Sequence, residues 1–283
     1  MISLIKAKKS LGQNFLTDSG VARRIIEAVA PLPTDIVVEI GPGTGALTQV
    51  LLDRSGYVVA VEIDQRLVDG LRNKLKGEHL TIVNTDALRV DWRALIAEAT
   101  SSFRAVRGSK SGDSRVRVVA NLPYYISTPI MERLLSFGRL LFDMTLMLQK
   151  EVADRIATGA GSKEYGYLSV VVQYYSEATK LFEVAPSAFT PAPKVRSAVI
   201  RLTLRGHPAV DVADEKRFFA FVRAAFAQRR KTILNNLKAA SRSLEFTQAM
   251  EPALEAASVS PQRRAETLSL AEFAALYRTL YDA

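Results

Sequence analysis

Cysteine is absent from the chain, and histidine occurs only twice, at His79 and His207. The first absence excludes disulfides, a thiol nucleophile and every cysteine-ligated metal site. The second leaves no imidazoles at ligand-like spacing, so no metal is expected. Long apolar runs are missing too: no stretch approaches the roughly 20 residues that span a bilayer. The start, MISLIKAKKSLGQNF, lacks the apolar core of roughly 7–15 residues that marks a secretory signal. A cytoplasmic protein with no membrane partner is expected.

Acid is the scarcer charge. Among 283 residues, 38 Lys and Arg face 29 Asp and Glu, giving +9 and a pI near 9.7. From Pro186 to Ala283 the counts are 15 basic against 9 acidic, and before it 23 against 20. The excess is concentrated in the last third, as suits a polyanionic partner. With 48% hydrophobic residues the composition is that of an ordinary globular protein, long enough for a large and a small domain.

Strand and helix patterns alternate along the first two thirds. After a basic arm, Ser19–Ala30 reads as a helix with a Ser start signal. DIVVEI (Asp35–Ile40), YVVAVEID, LTIVNTDAL and VRVVANLPYY follow as strands, separated by RLVDGLRNKL and WRALIAEA as helices. TPIMERLLSF is a further helix, and DMTLMLQKEV begins as a strand. The class is therefore α/β, with a parallel sheet covered by helices. SSFRAVRGSKSGDSR (Ser101–Arg115) reads as a polar surface loop. The Pro-punctuated FTPAPKVRS is expected to mark the boundary between a domain over 1–188 and a helical, basic domain over 189–283.

Ligands of such sheets bind beyond the carboxyl ends of the strands. Gly41, Glu62, Asp86 and Asn121 all fall at successive strand ends. The glycines of EIGPGTGALT permit close backbone approach to a ligand, and they also satisfy the dinucleotide pattern through Gly41, Gly43 and Ala46. Glu62 is placed to accept both hydroxyls of a ribose, and Asp86 to accept from an adenine amino group. Glu39 adds negative charge that a pyrophosphate would oppose and a sulfonium-bearing amino acid would tolerate. S-adenosylmethionine fits that electrostatic pattern better than NAD.

Taken in order, SLGQNFLTD, EIGPGTGALT, VEID, NTDAL, NLPYYIST, FTPAPKVRSAV and FAQRRKTILNNL resemble the small-subunit (16S) ribosomal RNA adenine N6,N6-dimethyltransferase family. The similarity spans nearly the whole chain, from about Lys9 to the last helix. It implies a Rossmann-like class I methyltransferase sheet with a smaller helical C-terminal domain. It also implies S-adenosylmethionine held by Asn14, Leu16, Gly41, Glu62, Asp86 and Asn121, with the N-terminal arm as a cover. The implied partner is small-subunit ribosomal RNA in an immature 30S subunit, with a role in ribosome biogenesis. One departure is the Ser101–Arg115 segment, which is longer than the family's usual connection.

NLPYYIST then acquires a chemical reading. Adenine N6 is a weak nucleophile, because its lone pair is delocalised into the ring. Asn121 Oδ1 and the Leu122 carbonyl can accept from its two hydrogens, Pro123 fixes the turn, and Tyr124 can stack on an extruded base. Tyr125 and Phe189 are each assignable either to the target base or to the core. Arg229, Arg230 and Lys231, at an expected helix start, are candidates for RNA phosphates. The competing functions are a non-catalytic RNA-binding assembly factor, a large-subunit rRNA adenine methylase and an NAD oxidoreductase.

Overall fold

The computed structural model describes residues 5–107 and 114–281. The chain forms two compact units, one of 1–153 with 177–206 and the other of 154–176 with 207–283.

In the first unit the strands are β1 (Phe15–Leu16), β2 (Ile36–Ile40), β3 (Tyr57–Glu62), β4 (Leu80–Asn84), β5 (Val116–Asn121), β6 (Asp143–Gln149), β7 (Ser176–Val184), β8 (Phe189–Thr190) and β9 (Ser197–Leu204). Its helices are α1 (Ser19–Val29), α2 (Thr48–Leu52), α3 (Gln65–Lys74), α4 (Trp92–Arg107) and α5 (Ser127–Leu135), and α6 (Lys150–Ile156) leads out of it. Seven strands join in the order β4-β3-β2-β5-β6-β9-β7. From β4 to β6 every pair is parallel, and β9 runs antiparallel to β6. β2 and β3 are buried along their whole length, which is why IVVEI and YVVAVE carry apolar residues at consecutive positions rather than in alternation.

The strand N-terminal ends are tied by one buried cation. Arg117 Nε donates to Asp35 Oδ2 at 2.7 Å and Nη1 to Asp143 Oδ2 at 2.5 Å, so its guanidinium joins β5 to β6 and to the segment entering β2. Nη1 also donates to the carbonyl of Val29 at the end of α1.

Several expectations shift. The boundary expected at 188/189 falls inside the first unit, because β9 pairs with β6 from Ser197 to Leu204 and makes this Pro-punctuated segment part of the sheet. The start signal of α1 is Asp18, whose Oδ1 accepts from Gly20 and Val21 N–H, and Ser19 is already helical. Ser101–Arg107, expected as loop, continues α4, with Phe103 buried. Of the remainder of that expected loop, 108–113 lies outside the described residues.

The second unit contains α7 (Tyr167–Tyr175), α8 (Glu215–Ala225), α9 (Ile233–Leu244), α10 (Met250–Ala256) and α11 (Leu270–Tyr281). Its core includes a group of aromatic residues: Tyr174, Phe218, Phe221, Phe273 and Tyr277 are each almost fully buried. No helix among the described residues is long and apolar enough to cross a membrane.

Candidate active site

The chain runs from β2 outward through β3 to β4, then crosses back to place β5 on the other side of β2. Such a reversal opens a crevice at the carboxyl ends of the two central strands. Gly41 follows β2 and Asn121 ends β5, so they flank it, while Glu62 ends β3 and Asp86 lies just past β4. A cavity of about 250 Å³ occupies this place. Asn14, Leu16, Gly41, Glu62, Asp86, Asn121, Leu122, Pro123 and Tyr124 all line it.

The glycine turn forms one wall. Gly43 and Gly45 hold φ of +58° and +83°, and a Cβ on Gly45 would come within 2.9 Å of Leu71 Cδ2. Only glycine satisfies both the backbone and the space there. The turn extends to Leu47, and α2 begins at Thr48.

Two carboxylates face this wall. Glu62 Oε2 accepts from Gly43 N–H at 3.2 Å and Oε1 from Asp64 N–H at 2.9 Å. Burial raises its pKa despite those two donors. Glu39 is 2% exposed, and its Oε2 has no hydrogen-bond partner among the described residues. Burial, opposed by the nearby Thr48 and reinforced by the Glu62 charge, pushes its pKa up to about 7. Asp86 Oδ1 accepts from Leu88 N–H at 2.9 Å, and Oδ2 lies 3.9 Å from Arg89 Nε.

The N-terminal arm closes one side. β1 pairs antiparallel with β8, Leu16 facing Phe189. Asn121 Nδ2 donates to the Asn14 carbonyl at 3.2 Å, which commits the N–H end of that amide to the arm and leaves Oδ1 to accept. Asp64, not singled out from the sequence, anchors the other end of the arm. Its carboxylate accepts from Lys8 Nζ and Gln13 Nε2, both at 3.2 Å, and from Arg66. Arg66 chiefly, with Gln13 and Lys8, holds the Asp64 carboxyl far below the ordinary carboxylate range. An Asp before a helix is a legible cap signal, but its partners 51 and 56 residues away are not.

In the NLPYYIST turn, Leu122 N–H donates to Met147 O and Ile126 N–H to Pro123 O. Tyr124 hydroxyl and Ser197 Oγ share a hydrogen bond of 2.8 Å, which fixes the ring from its far end, and burial raises the phenol pKa. Tyr125 is 58% exposed at the cavity mouth. Phe189 is buried in the core with Leu16 and Val199 and does not line the cavity, so its place is in packing.

Arg229, Arg230 and Lys231 are exposed in the turn between α8 and α9, ahead of the N-cap Thr232. Arg229 is partly engaged, pairing with Glu266 and donating to the Lys163 carbonyl. Asn236, in the same motif, is structural: its Nδ2 donates to Ala225 O and Gln228 O.

The sequence model of the ribosomal RNA adenine dimethylase family matches residues 4–276. The chain belongs to that family. It is 48% identical over 275 residues to a ribosomal RNA small subunit methyltransferase A of Geobacillus thermodenitrificans, covering 96% of this chain and 90% of that protein. A protein of the same name from Moorella thermoacetica is 47% identical over 277 residues, covering 96% and 92%. Among solved structures, a dimethyladenosine transferase from Plasmodium falciparum shares the fold at TM-score 0.74 and 24% identity, over 93% of this chain and 95% of that one. The 23S rRNA methyltransferase ErmE aligns at TM-score 0.67 and 27% identity, over 94% and 99%. In this chain the strand-end carboxylates and the Asn-Leu-Pro-Tyr turn line one cavity.

Proposed function

We propose that this protein transfers methyl groups from S-adenosylmethionine to N6 of two adjacent adenosines near the 3′ end of small-subunit ribosomal RNA, acting on immature small subunits in the cytoplasm. The observation that carries the reading is the convergence of Gly41, Glu62, Asp86 and Asn121 on one cavity closed by the arm. Relatives at 47–48% identity bear the small-subunit name, which favours that RNA over the 23S rRNA for which the more distant ErmE is named.

The cavity fits the methyl donor. Glu39 offers a buried carboxylate oxygen, Oε2, with no partner among the described residues, which suits a cationic amino acid moiety, and a pyrophosphate would be repelled by both Glu39 and Glu62. Glu62 would hold the ribose hydroxyls, Asp86 the adenine amino group, and Asn14, Leu16 and Gly41 the remaining edges. When bound, S-adenosylmethionine supplies a sulfonium-activated methyl group, which N6 takes up as the S–C bond breaks.

The chain's own residues prepare N6. Asn121 Oδ1 and the Leu122 carbonyl accept from the two N6 hydrogens, which favours a pyramidal nitrogen with a localised lone pair. The Asn14 carbonyl keeps Asn121 turned with its oxygen available. Tyr124, held by Ser197, stacks on the extruded base, a contact worth about 1–3 kcal/mol. The proton leaves N6 after transfer, so an amide acceptor suffices, and losing one N–H partner after the first methylation is tolerated. Orientation of this kind lowers a barrier by roughly 7–11 kcal/mol. In the second unit, Arg230 and Lys231 with Arg229 would engage RNA phosphates.

The test is transfer of labelled methyl from S-adenosylmethionine to small subunits lacking the modification, with the product mapped. Dimethyladenosine in small-subunit RNA is expected, and label confined to large-subunit RNA refutes the reading. Asn121→Ala is expected to retain RNA binding and lose about 10²–10³-fold in turnover, the usual cost of removing a transition-state hydrogen bond. Unchanged turnover would remove the assignment.

A further inference from the structure

Beside the Asn-Leu-Pro-Tyr turn, three cations converge on a single acid. Glu183, on β7, has Oε1 2.9 Å from Lys180 Nζ and 3.6 Å from Lys150 Nζ, and Oε2 3.1 Å from Arg196 Nε. The cluster reaches solvent, where Arg196 is 54% and Lys150 39% exposed. The hydrogen bonds chiefly from Lys180, and from Arg196, hold the Glu183 carboxyl below its ordinary range, so it stays ionised and keeps the cations grouped around it.

Its position relates it to the cavity. Lys150 directly follows β6, and its N–H donates to the Arg196 carbonyl. The next residue, Ser197, is opposite Gln149 in the β6–β9 ladder and carries the hydrogen bond to the Tyr124 hydroxyl. Arg196 is therefore covalently adjacent to the group that fixes the stacking ring, and Lys150 is tied to it through the ladder. None of the three cations lines the cavity that would take the methyl donor.

We propose that Lys150, Lys180 and Arg196 form a phosphodiester-binding subsite that grips the RNA backbone next to the adenosine whose base stacks on Tyr124. The proposal rests on the adenine methyltransferase reading. An extruded base arrives attached to its phosphates, and those must lie outside the carboxylate-lined cavity within reach of Tyr124. Glu183 spaces the cations and keeps the fork of Arg196 oriented when no RNA is present, much as a counter-ion would. Backbone contact gives no sequence information, and it fixes the register in which the base enters.

The test measures binding of a hairpin RNA with two adjacent loop adenosines to the full-length protein, by fluorescence anisotropy from about 50 to about 300 mM salt. In the K150Q/R196Q double variant, affinity near ~0.15 M salt is expected to fall about tenfold, and the slope of log affinity against log salt by about 1.4 for two lost single-strand phosphate contacts. Affinity for S-adenosylmethionine is expected to hold. Glu183→Gln separates the subsite from a purely structural brace: removing the acid leaves a stronger cationic site, so binding is expected to tighten about threefold. An unchanged salt slope in K150Q/R196Q, or weaker binding in E183Q with its unfolding midpoint unchanged, would overturn the subsite. Binding does not depend on turnover, so wild-type protein that binds this RNA but transfers no methyl to small subunits refutes the proposed function, and the salt slopes still decide the subsite.

Discussion

Glu39→Gln isolates the cost of keeping a carboxyl under the glycine turn. In the folded chain this carboxyl has its pKa raised from 4.5 to about 7, mainly by burial, with the neighbouring Glu62 adding to the effect. A raised carboxyl pKa means that the folded state binds its proton more tightly than the unfolded state. Below pH 4.5 both states are protonated and there is no penalty. Between pH 4.5 and 7 the unfolded chain ionises first, and stability is lost as pH rises. Above pH 7 the full penalty applies, about 3 kcal/mol for a gap of this size. Glutamine copies the protonated acid in shape and does not titrate. The variant is therefore expected to match the wild type near pH 4.5 and to exceed it by about 3 kcal/mol near pH 8, with the difference growing through that window. Urea unfolding of both proteins without cofactor across this pH range measures it, each midpoint multiplied by its slope. A stability difference that is flat with pH, or that favours the wild type at the alkaline end, would refute the burial argument. The same variant should bind S-adenosylmethionine more weakly at that end, because the carboxylate charge offered to the donor's cation is gone.

Two further perturbations address the arm and the sheet. Asp64→Asn keeps the cap of α3 but removes the charge that holds Lys8 and Arg66. Trypsin is expected to cut after Lys8 or Lys9 faster, and the KM for S-adenosylmethionine to rise about threefold, as suits partly exposed pairs. Equal cleavage rates and equal KM would show that the arm is held by β1 and β8 alone. Arg117→Ala strands the buried carboxylates of Asp35 and Asp143 and should cost about 3–5 kcal/mol in denaturant unfolding. A loss under about 1 kcal/mol would mean that water or protonation relieves them.

The sequence by itself determined the α/β class and which polar and glycine residues stand at the four strand ends. Short apolar runs such as VVAV, alternating with helical patterns, read as buried strands flanked by helices, and polar or glycine residues at their ends then share one edge of the sheet. Local periodicity carries that much, and the Asn-Leu-Pro-Tyr turn was legible for the same reason: its residues are neighbours in the chain. Tertiary structure alone decided what depends on distant partners. β9 joined the sheet because Ser197–Leu204 pairs with β6, a contact between segments remote in the chain that moved the unit boundary away from the prolines. Phe189 was assigned to the core when β8 paired with β1, over an even greater separation. Asp64 became an anchor only when Lys8 and Gln13 folded back onto it, and Glu183, beside Lys180 on its own strand, gathered Lys150 and Arg196 from two other segments. A hydrogen bond or ion pair between remote residues leaves no periodic trace in a single chain, because each partner's local pattern is satisfied equally well by solvent.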